Sequence, residues 1–456
     1  MDSVPGKHIR NISKSSRPRS STRGPLDASD DPLALPETPT SPVKHKSMLA
    51  ADNAFSGASF YELDPLAPDD LPEPLEKDLS FLLRHSNFHT LSHLEIPLPL
   101  RSEFLILNPG EPLSTTLGTL EKLLAEGRFL IAAHFSASVL TSSLVSPTDI
   151  KIIFSLFYTR LACLDLSGNT VLAAQESKAL EDLSSAFYYI DLELESAPVD
   201  ADYNPENDEE YEQDPRHIVP WPLRVLAVRL QSIGFGDPRR SIGGLYEIAL
   251  EARREIMRSE ATEAERELWK QRLADLGVRS VNALIEMRDF DAARRSLDNL
   301  RVPGPESNIT KLRKALLLLR IGDLDAASQV FGDANEAKEP GLLKPLISMS
   351  DGRFADAVAE WRILGEDRTR TDGALVAQNL AVCLLYTGQL DESRRLLEAQ
   401  VASNHSFGSL IFNLSTVYEL CSDSANRMKG WLADTISKQP VVGQTNLDRP
   451  NSDLKL

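Results

Sequence analysis

Four similar hexapeptides recur in the C-terminal half of this 456-residue chain. They are Arg288-Asp289-Phe290-Asp291-Ala292-Ala293, Gly322-Asp323-Leu324-Asp325-Ala326-Ala327, Gly352-Arg353-Phe354-Ala355-Asp356-Ala357 and Gly388-Gln389-Leu390-Asp391-Glu392-Ser393. Their first residues are 34, 30 and 36 positions apart. Helical hairpins of the tetratricopeptide type repeat about every 34 residues. The spacing therefore predicts an all-α fold, a tetratricopeptide-type α-solenoid of helical hairpins.

The hexapeptides have the residue types that a tight turn between two helices needs. Three begin with Gly, which can end a helix in the left-handed conformation without steric cost, whereas Arg288 begins the first copy. The third residue is apolar in every copy, and we expect it to fill the gap between the paired helices. A small residue follows where the helices approach each other, and a large apolar residue lies one turn further along the same face. These last two positions hold Ala293 and Leu297, Ala327 and Phe331, Ala357 and Trp361, and Ser393 and Leu397.

Weaker copies extend the repeat towards the N-terminus. The turns that begin at Gly127 and Gly168 have the same residue pattern, and a further hairpin is predicted over residues 220–257, with Gly234 or Gly236 at its turn. A last hairpin is predicted over residues 406–437, which gives eight hairpins in all. A helical bundle with accidental similarity is the alternative, and four copies in phase disfavour it.

The sequence divides the chain into segments of different composition. Residues 1–75 are rich in Ser, Pro, Asp and Arg and have few large apolar side chains, so they are predicted to form a disordered tail. Residues 76–113 mix apolar clusters with prolines and are predicted to form an irregular cap on the first helices. The solenoid is expected over residues 114–438, interrupted by a solvated acidic loop at residues 196–216. Residues 439–456 are expected to form a polar C-terminal tail.

Charge and hydropathy limit the kinds of molecule that this chain is expected to bind. The formal net charge is -18, which disfavours binding to nucleic acid and to anionic lipid. The sequence has neither an apolar run of about 18 residues nor the apolar core of a signal peptide. These features predict a cytoplasmic protein without direct membrane insertion. Cys163, Cys383 and Cys421 lie far apart in apolar stretches, so buried structural thiols are expected rather than a zinc site.

Sequence motifs for catalysis or cofactor binding are missing. The chain has no GxxxxGK[ST] phosphate loop, GxSxG elbow or HExxH motif, so we expect a protein that is not an enzyme and has no cofactor. His85, His89 and His93 are four positions apart, and three imidazoles on one helix face can hold zinc. However, Pro97 follows closely and makes a helix unfavourable there. A metalloenzyme is therefore the disfavoured alternative.

The N-terminal tail contains two proline-directed phosphorylation motifs. Thr38 and Ser41 each precede a proline, and Lys44 supplies the basic residue that cyclin-dependent kinases prefer after Ser41. A phosphate would add about -1.5 to -2 charges at each site and could switch a docking contact. Chance occurrence is the alternative interpretation, because such short motifs are common.

The first helix of each hairpin is expected to line a concave binding face. Tetratricopeptide domains that bind chaperones grip a C-terminal carboxylate with Asn, Lys and Arg on this face. The positions six residues before the turns hold Asn282, Leu316, Leu346 and Val382, and those three before the turns hold Ile285, Leu319, Met349 and Leu385. With only one Asn, a carboxylate clamp is not predicted. An apolar groove is predicted instead, filled either by a partner segment or by the chain's own residues 76–113.

The two C-terminal hairpins resemble a known family. The stretch Asn379-Leu380-Ala381-Val382-Cys383-Leu384-Leu385-Tyr386-Thr387-Gly388 is followed by Leu396-Leu397-Glu398 and by Phe412-Asn413-Leu414-Ser415-Thr416-Val417-Tyr418-Glu419-Leu420. Together they resemble the family of subunit 12 of the trafficking protein particle (TRAPP) complex, the tetratricopeptide subunit of a vesicle-tethering assembly. The resemblance is most specific over residues 370–435 and looser over residues 76–369. It does not extend to the tail.

This resemblance implies a non-catalytic scaffold in ER-to-Golgi traffic and autophagy. The implied partners are other TRAPP subunits, especially the large peripheral subunit eleven. A Rab GTPase would be met only indirectly, because the exchange chemistry belongs to the small core subunits. The implied location is cytoplasmic, with peripheral association with Golgi and ER–Golgi membranes through the complex. The family supplies no catalytic residues to transfer. The alternative is an adaptor of another complex, such as a co-chaperone.

Overall fold

The computed structural model describes residues 33, 63–64, 66, 77–90, 107, 110–190, 216–258, 261–300, 308–334, 341–366, 373–421 and 423–439. Nearly all of the predicted tail 1–75, the acidic loop 196–216 and the C-terminal tail 439–456 lies outside these residues. The predicted phosphorylation sites Thr38 and Ser41 lie outside them as well.

Sixteen α-helices in the described residues form eight consecutive hairpins. The helices are α1 (Leu113–Ala125), α2 (Phe129–Leu140), α3 (Ile150–Leu166), α4 (Thr170–Glu176), α5 (Trp221–Phe235), α6 (Pro238–Met257), α7 (Glu263–Glu286), α8 (Phe290–Asn299), α9 (Asn308–Ile321), α10 (Leu324–Ala334), α11 (Leu343–Ser350), α12 (Phe354–Glu366), α13 (Gly373–Tyr386), α14 (Leu390–Ala402), α15 (Gly408–Cys421) and α16 (Ala425–Ser437).

Contacts between helices follow the order of the chain. Each helix packs against the next one, from α1 to α16. The first helices of several neighbouring hairpins also touch, at α3–α5, α7–α9, α9–α11 and α13–α15. Stacked hairpins that contact mainly their neighbours define a solenoid. The predicted all-α solenoid is therefore confirmed, while its assignment to the tetratricopeptide type stays a prediction.

A small two-stranded sheet lies between the second and third hairpins, and the sequence does not predict it. Strand β1 (Tyr189–Ile190) pairs antiparallel with β2 (Arg216–His217), so that Tyr189 lies opposite His217. The pairing brings together the two ends of the chain segment 191–215. Residues 190 and 216, which flank this segment and with it nearly all of the predicted acidic loop, are therefore adjacent.

Seven hairpin turns in the described part of the chain share one backbone geometry. Their left-handed residues have φ between 60° and 92°, and they are Gly127, Gly168, Gly236, Arg288, Gly322, Gly352 and Gly388. The following residue donates its N–H to the carbonyl five positions earlier, as from Gln389 to Leu384 over 2.8 Å. This is the Schellman ending of a helix. The third hairpin therefore turns at Gly236 rather than at Gly234.

The repeated small residues lie where the paired helices approach most closely. Ala293, Ala327, Ala357 and Ser393 have no exposed surface, and the Ser393 hydroxyl donates to the Ala381 carbonyl over 2.7 Å. Of the large apolar residues one turn further along, Leu297, Trp361 and Leu397 are buried. The side chain of Phe331 is not among those that the structure describes.

The apolar residue that begins each second helix does not fill the gap as expected. Phe290 is exposed, and its counterparts Leu324, Phe354 and Leu390 are only half-buried. In each copy this residue is the first of its helix. Phe354 stacks instead on Tyr386 of the next hairpin, with ring centroids 4.3 Å apart.

The described residues of the predicted cap pack on the first two hairpins. Residues 77–90 form two 3₁₀ turns (Ser80–Leu83 and His85–Asn87), and Leu79, Leu82 and Phe88 are buried in the core of those hairpins. A buried ion pair in this core joins Arg160 to Glu176, with Nη2 and Oε1 2.6 Å apart. The Arg160 guanidinium also donates to the His89 carbonyl over 2.9 Å, which ties the cap to α3 and α4.

Candidate functional site

The eight predicted groove positions lie on the first helices of four consecutive hairpins, α7, α9, α11 and α13. Each helix carries two of these positions, three residues apart and therefore on one face. The left-handed turn that ends each helix fixes this spacing. The residues are Asn282 and Ile285 on α7, Leu316 and Leu319 on α9, Leu346 and Met349 on α11, and Val382 and Leu385 on α13.

Most of these side chains contribute to packing between hairpins. Ile285 is buried, and Leu319 packs against the same cluster. Leu346 and Met349 pack around Trp361, whose Nε1–H donates to the Met349 sulfur over 3.2 Å. These four side chains are therefore largely engaged in packing between hairpins, and the use of the groove by a partner stays a prediction.

The three remaining apolar groove residues differ in exposure and partners. Leu385 is half-buried against the cluster of the last two hairpins, and Val382 is half-buried as well. Leu316 is 37% exposed. A partner can therefore reach Leu316, whereas Val382 and Leu385 contribute to packing.

The single Asn at a clamp position interacts with the next hairpin. The Asn282 side-chain oxygen accepts from Arg320 Nη1 over 2.8 Å, and its Nδ2 donates to the Val278 carbonyl over 3.1 Å. The amide is therefore held in place by α7 and α9 themselves. The other three clamp positions are apolar, so they offer no donors to a carboxylate.

Large apolar side chains are exposed at the C-terminal end of the described solenoid. Tyr386 on α13 is 66% exposed, and Phe412 and Leu420 on α15 are 68% and 58% exposed. Trp431 on α16 is also exposed. Exposed apolar patches commonly mark protein-binding surfaces. The helical pattern does not distinguish these residues from core residues, because an apolar residue within such a pattern is normally expected to be in the core.

A second candidate surface combines two tryptophans and an arginine. The rings of Trp221, at the start of α5, and Trp269, on α7, meet edge to face with centroids 5.2 Å apart. The Arg272 guanidinium lies 5.0 Å from the Trp221 ring and 4.5 Å from the Trp269 ring. Such contacts between a cation and aromatic rings are attractive, most strongly when water is excluded.

Residues of the N-terminal tail contact this second surface. The Asp64 carboxylate forms an ion pair with Arg272 and accepts from the Trp221 backbone N–H over 3.0 Å. Both charged side chains are only 8% exposed. Burial lowers the pKa of Arg272, and the adjacent Asp64 opposes that shift. Leu33 and Leu66 pack against the apolar cluster of α5–α7, although the sequence predicts no order for this segment.

The histidine and cysteine residues do not gather into a reactive centre within the described ranges. His85 is exposed, His89 Nδ1 lies 3.2 Å from Glu176 Oε1, and His93 is outside the description. No group of three metal-binding side chains occurs among the residues described. Cys163 and Cys383 are buried, and burial raises the pKa of the Cys383 thiol to about 11, which disfavours the reactive thiolate.

Among the described helices, none has the length and apolar character that crossing a membrane requires.

Comparison with known proteins finds similarity to one subunit of the TRAPP complex. No family model matches the chain. Trafficking protein particle complex subunit 12 of Mus musculus is 28% identical over 252 residues, which cover 49% of this chain and 31% of that protein. The Homo sapiens protein of the same name is 27% identical over 247 residues, 48% of this chain and 34% of its own length. The match thus spans about one third of the length of each of these curated relatives. The resemblance predicted from the C-terminal hairpins is confirmed: over about half of its length, this chain is similar to trafficking protein particle complex subunit 12.

Proposed function

We propose that this chain is a non-catalytic scaffold subunit of the TRAPP vesicle-tethering complex. It acts in ER-to-Golgi traffic and autophagy, and it joins other large peripheral subunits, in particular subunit eleven, through its helical surface. A Rab GTPase meets the chain only indirectly, through the complex. The chain is cytoplasmic and associates peripherally with Golgi and ER–Golgi membranes through its partners. The similarity to subunit 12 over about half of the chain is the observation that carries this proposal.

The exposed apolar residues near the C-terminus support a partner-binding role. Tyr386, Phe412 and Leu420 lie within two of the three stretches that carry the family resemblance. They are more than half exposed, so packing within the hairpins does not explain their apolar character. The core of α15 is formed by other residues, including Leu410, Leu414 and Val417 on its buried face. A partner that covers the outer face would remove Phe412 and Leu420 from water.

Affinity purification of the tagged full chain from its own cells, followed by mass spectrometry, tests this proposal. The TRAPP core and the large peripheral subunits are expected in the wild-type sample. Phe412→Asp places a charge on the exposed face and should reduce their recovery at least tenfold. Val171→Asp is the matched control, because Val171 on α4 is 64% exposed at the other end of the solenoid. Both variants should melt like the wild type. Recovery of chaperones alone, or of no TRAPP subunit, would contradict the proposal.

A co-chaperone adaptor is the competing function, and it requires a carboxylate clamp. A peptide with a free C-terminal carboxylate would then bind much more tightly than the same peptide with an amidated end. We expect equal, weak binding of both peptides, because three of the four clamp positions are apolar and Asn282 is engaged by Arg320.

A further inference from the structure

The N-terminal tail contains the same tetrapeptide twice. Asp31-Pro32-Leu33-Ala34 and Asp64-Pro65-Leu66-Ala67 are identical in sequence. The leucine of each copy packs against one cluster, formed by α5, α6 and α7. Two leucines from matching tetrapeptides that pack against one cluster indicate that the surface recognises what the two copies share.

The surface has a polar contact for the aspartate of the motif and an apolar contact for its leucine. Asp64 bridges the first turn of α5, through the Trp221 N–H, and the Arg272 guanidinium on α7. The first turn of a helix has free N–H groups and a partial positive charge, so a carboxylate is favoured there. Leu66, two residues further on, packs on the adjacent apolar cluster, which includes Trp221, Trp269 and Leu273.

Charge complementarity identifies the kind of segment that fits. Arg272 is nearly buried between two indole rings, and a buried cation is unfavourable unless an anion is close. Nearby Arg224 pairs with Glu251 of α6, whereas Arg272 pairs with the carboxylate of the tail. The surface therefore favours an acidic residue followed by an apolar one, and it disfavours a basic or wholly apolar segment.

We propose that Trp221, Trp269 and Arg272 form a recognition site for a short Asp-Pro-Leu segment, occupied by Asp64 and Leu66 of the chain's own tail. These two tail residues are thereby held on the third and fourth hairpins. Leu33, in the first copy of the motif, packs on the same cluster. This inference does not depend on membership of the TRAPP complex, and its test involves no other subunit.

The test uses the full chain with the tail contact removed. Asp64→Ala with Leu66→Ala releases the tail segment without altering any solenoid residue. Asp69→Ala with Leu71→Ala is the matched control, because it removes the same two side chains at the same spacing a few residues further along the same tail. Binding of a fluorescent peptide with the sequence of residues 61–70 is then measured by anisotropy.

We expect the released variant to bind the peptide at least tenfold more tightly than the wild type, because the tail no longer competes. The Asp69→Ala, Leu71→Ala control should bind like the wild type. A peptide in which Ala replaces both Asp64 and Leu66 should not bind to any of the three proteins. This peptide control shows whether binding depends on the Asp64 and Leu66 side chains, without any substitution in the solenoid.

Hydrogen exchange followed by mass spectrometry gives a second, independent measurement. The Trp221 amide, which donates to Asp64, should exchange at least tenfold faster in the released variant than in the wild type and the control. Equal peptide binding by all three full-length proteins, together with unchanged exchange at the start of α5, would overturn the proposal.

Discussion

Arg288 occupies a backbone conformation that suits glycine. Its φ is 60°, whereas the six other left-handed hairpin turns described above have Gly at this place. A side chain in the left-handed region costs about 1–2 kcal/mol, because its Cβ approaches the neighbouring carbonyl oxygen. The turn is nevertheless complete, since the Asp289 N–H donates to the Leu284 carbonyl over 3.0 Å. The hairpin packing of α7 against α8 thus compensates for the strain.

We predict that Arg288→Gly raises the free energy of unfolding by about 1 kcal/mol, since glycine relieves this strain. Urea denaturation followed by circular dichroism measures the change. Gly388→Ala is the reciprocal variant, and it should lower stability by about the same amount. If Arg288→Gly instead lowered the free energy of unfolding, the contacts of the Arg288 side chain would stabilise the fold by more than the backbone strain costs.

His217 is held in its neutral form by its surroundings. Its Nδ1 accepts from the Val219 N–H over 3.0 Å, so Nε2 carries the proton and donates to the Leu183 carbonyl over 2.9 Å. Burial, with a smaller effect of the Arg224 charge, lowers the pKa of His217 to about 3. The unfolded imidazole has a pKa of about 6.5. Its protonation below that pH therefore favours the unfolded state.

We predict that His217 contributes to acid lability. The free energy of unfolding should fall as the pH decreases from about 6.5 to about 3, by at most about 1.4 kcal/mol per pH unit from this residue. His217→Gln removes this proton uptake, so the variant should show a shallower loss over the same range, although it is less stable at pH 7. Chemical denaturation at several pH values measures the slopes. Parallel slopes in the two proteins would refute the role of His217.

At the scale of a helix, the groove residues of different hairpins are of two kinds. Leu385 on α13 packs against the cluster of the last two hairpins. Leu316 on α9 is partly exposed, and its neighbours Leu317 and Leu318 form the buried face instead. The same substitution at these two positions should therefore affect different properties.

We predict that Leu385→Glu lowers the free energy of unfolding by about 3 kcal/mol, because it places a charge in an apolar contact. Leu316→Glu should change stability by less than about 1 kcal/mol while weakening partner recovery. Thermal melting and affinity purification of each single variant separate the two effects. An unchanged melting temperature for Leu385→Glu, or normal partner recovery by Leu316→Glu, would contradict this assignment of roles.

The hairpins could be predicted from sequence because their determinants are local. A glycine at a turn and a small residue five positions after it act within one repeat. Gly127 and Gly168 show this, since even their weak copies have the left-handed turn. Exposure is harder to predict, because Phe412 and the buried Leu414 are both apolar residues on α15 and differ only in the face they occupy.

The contact between the tail and the solenoid could not be predicted from a local pattern. Asp64 and Arg272 are 208 positions apart, and neither residue lies in a recognisable motif when considered alone. The repeated Asp-Pro-Leu-Ala tetrapeptide is the signal that could have indicated it. The two-residue strands β1 and β2 are similarly determined by pairing across a long segment rather than by their own sequence.

At the scale of the whole molecule, the stacked hairpins give an extended surface rather than a single pocket. Its two candidate surfaces lie on different hairpins. Tyr386, Phe412 and Leu420 lie near the C-terminus, and the tail contact at Trp221 and Arg272 lies on the third and fourth hairpins. A scaffold with separate surfaces can hold one segment in cis while it binds a partner elsewhere.

Reciprocal purification tests the scaffold function most directly. A TRAPP core subunit is tagged in cells that express this chain untagged, and the purified complex is quantified by mass spectrometry. We predict that this chain is recovered in a fixed ratio to the large peripheral subunits, and that Phe412→Asp removes it while Val171→Asp does not. Intact TRAPP that contains no trace of this chain would contradict the proposed function.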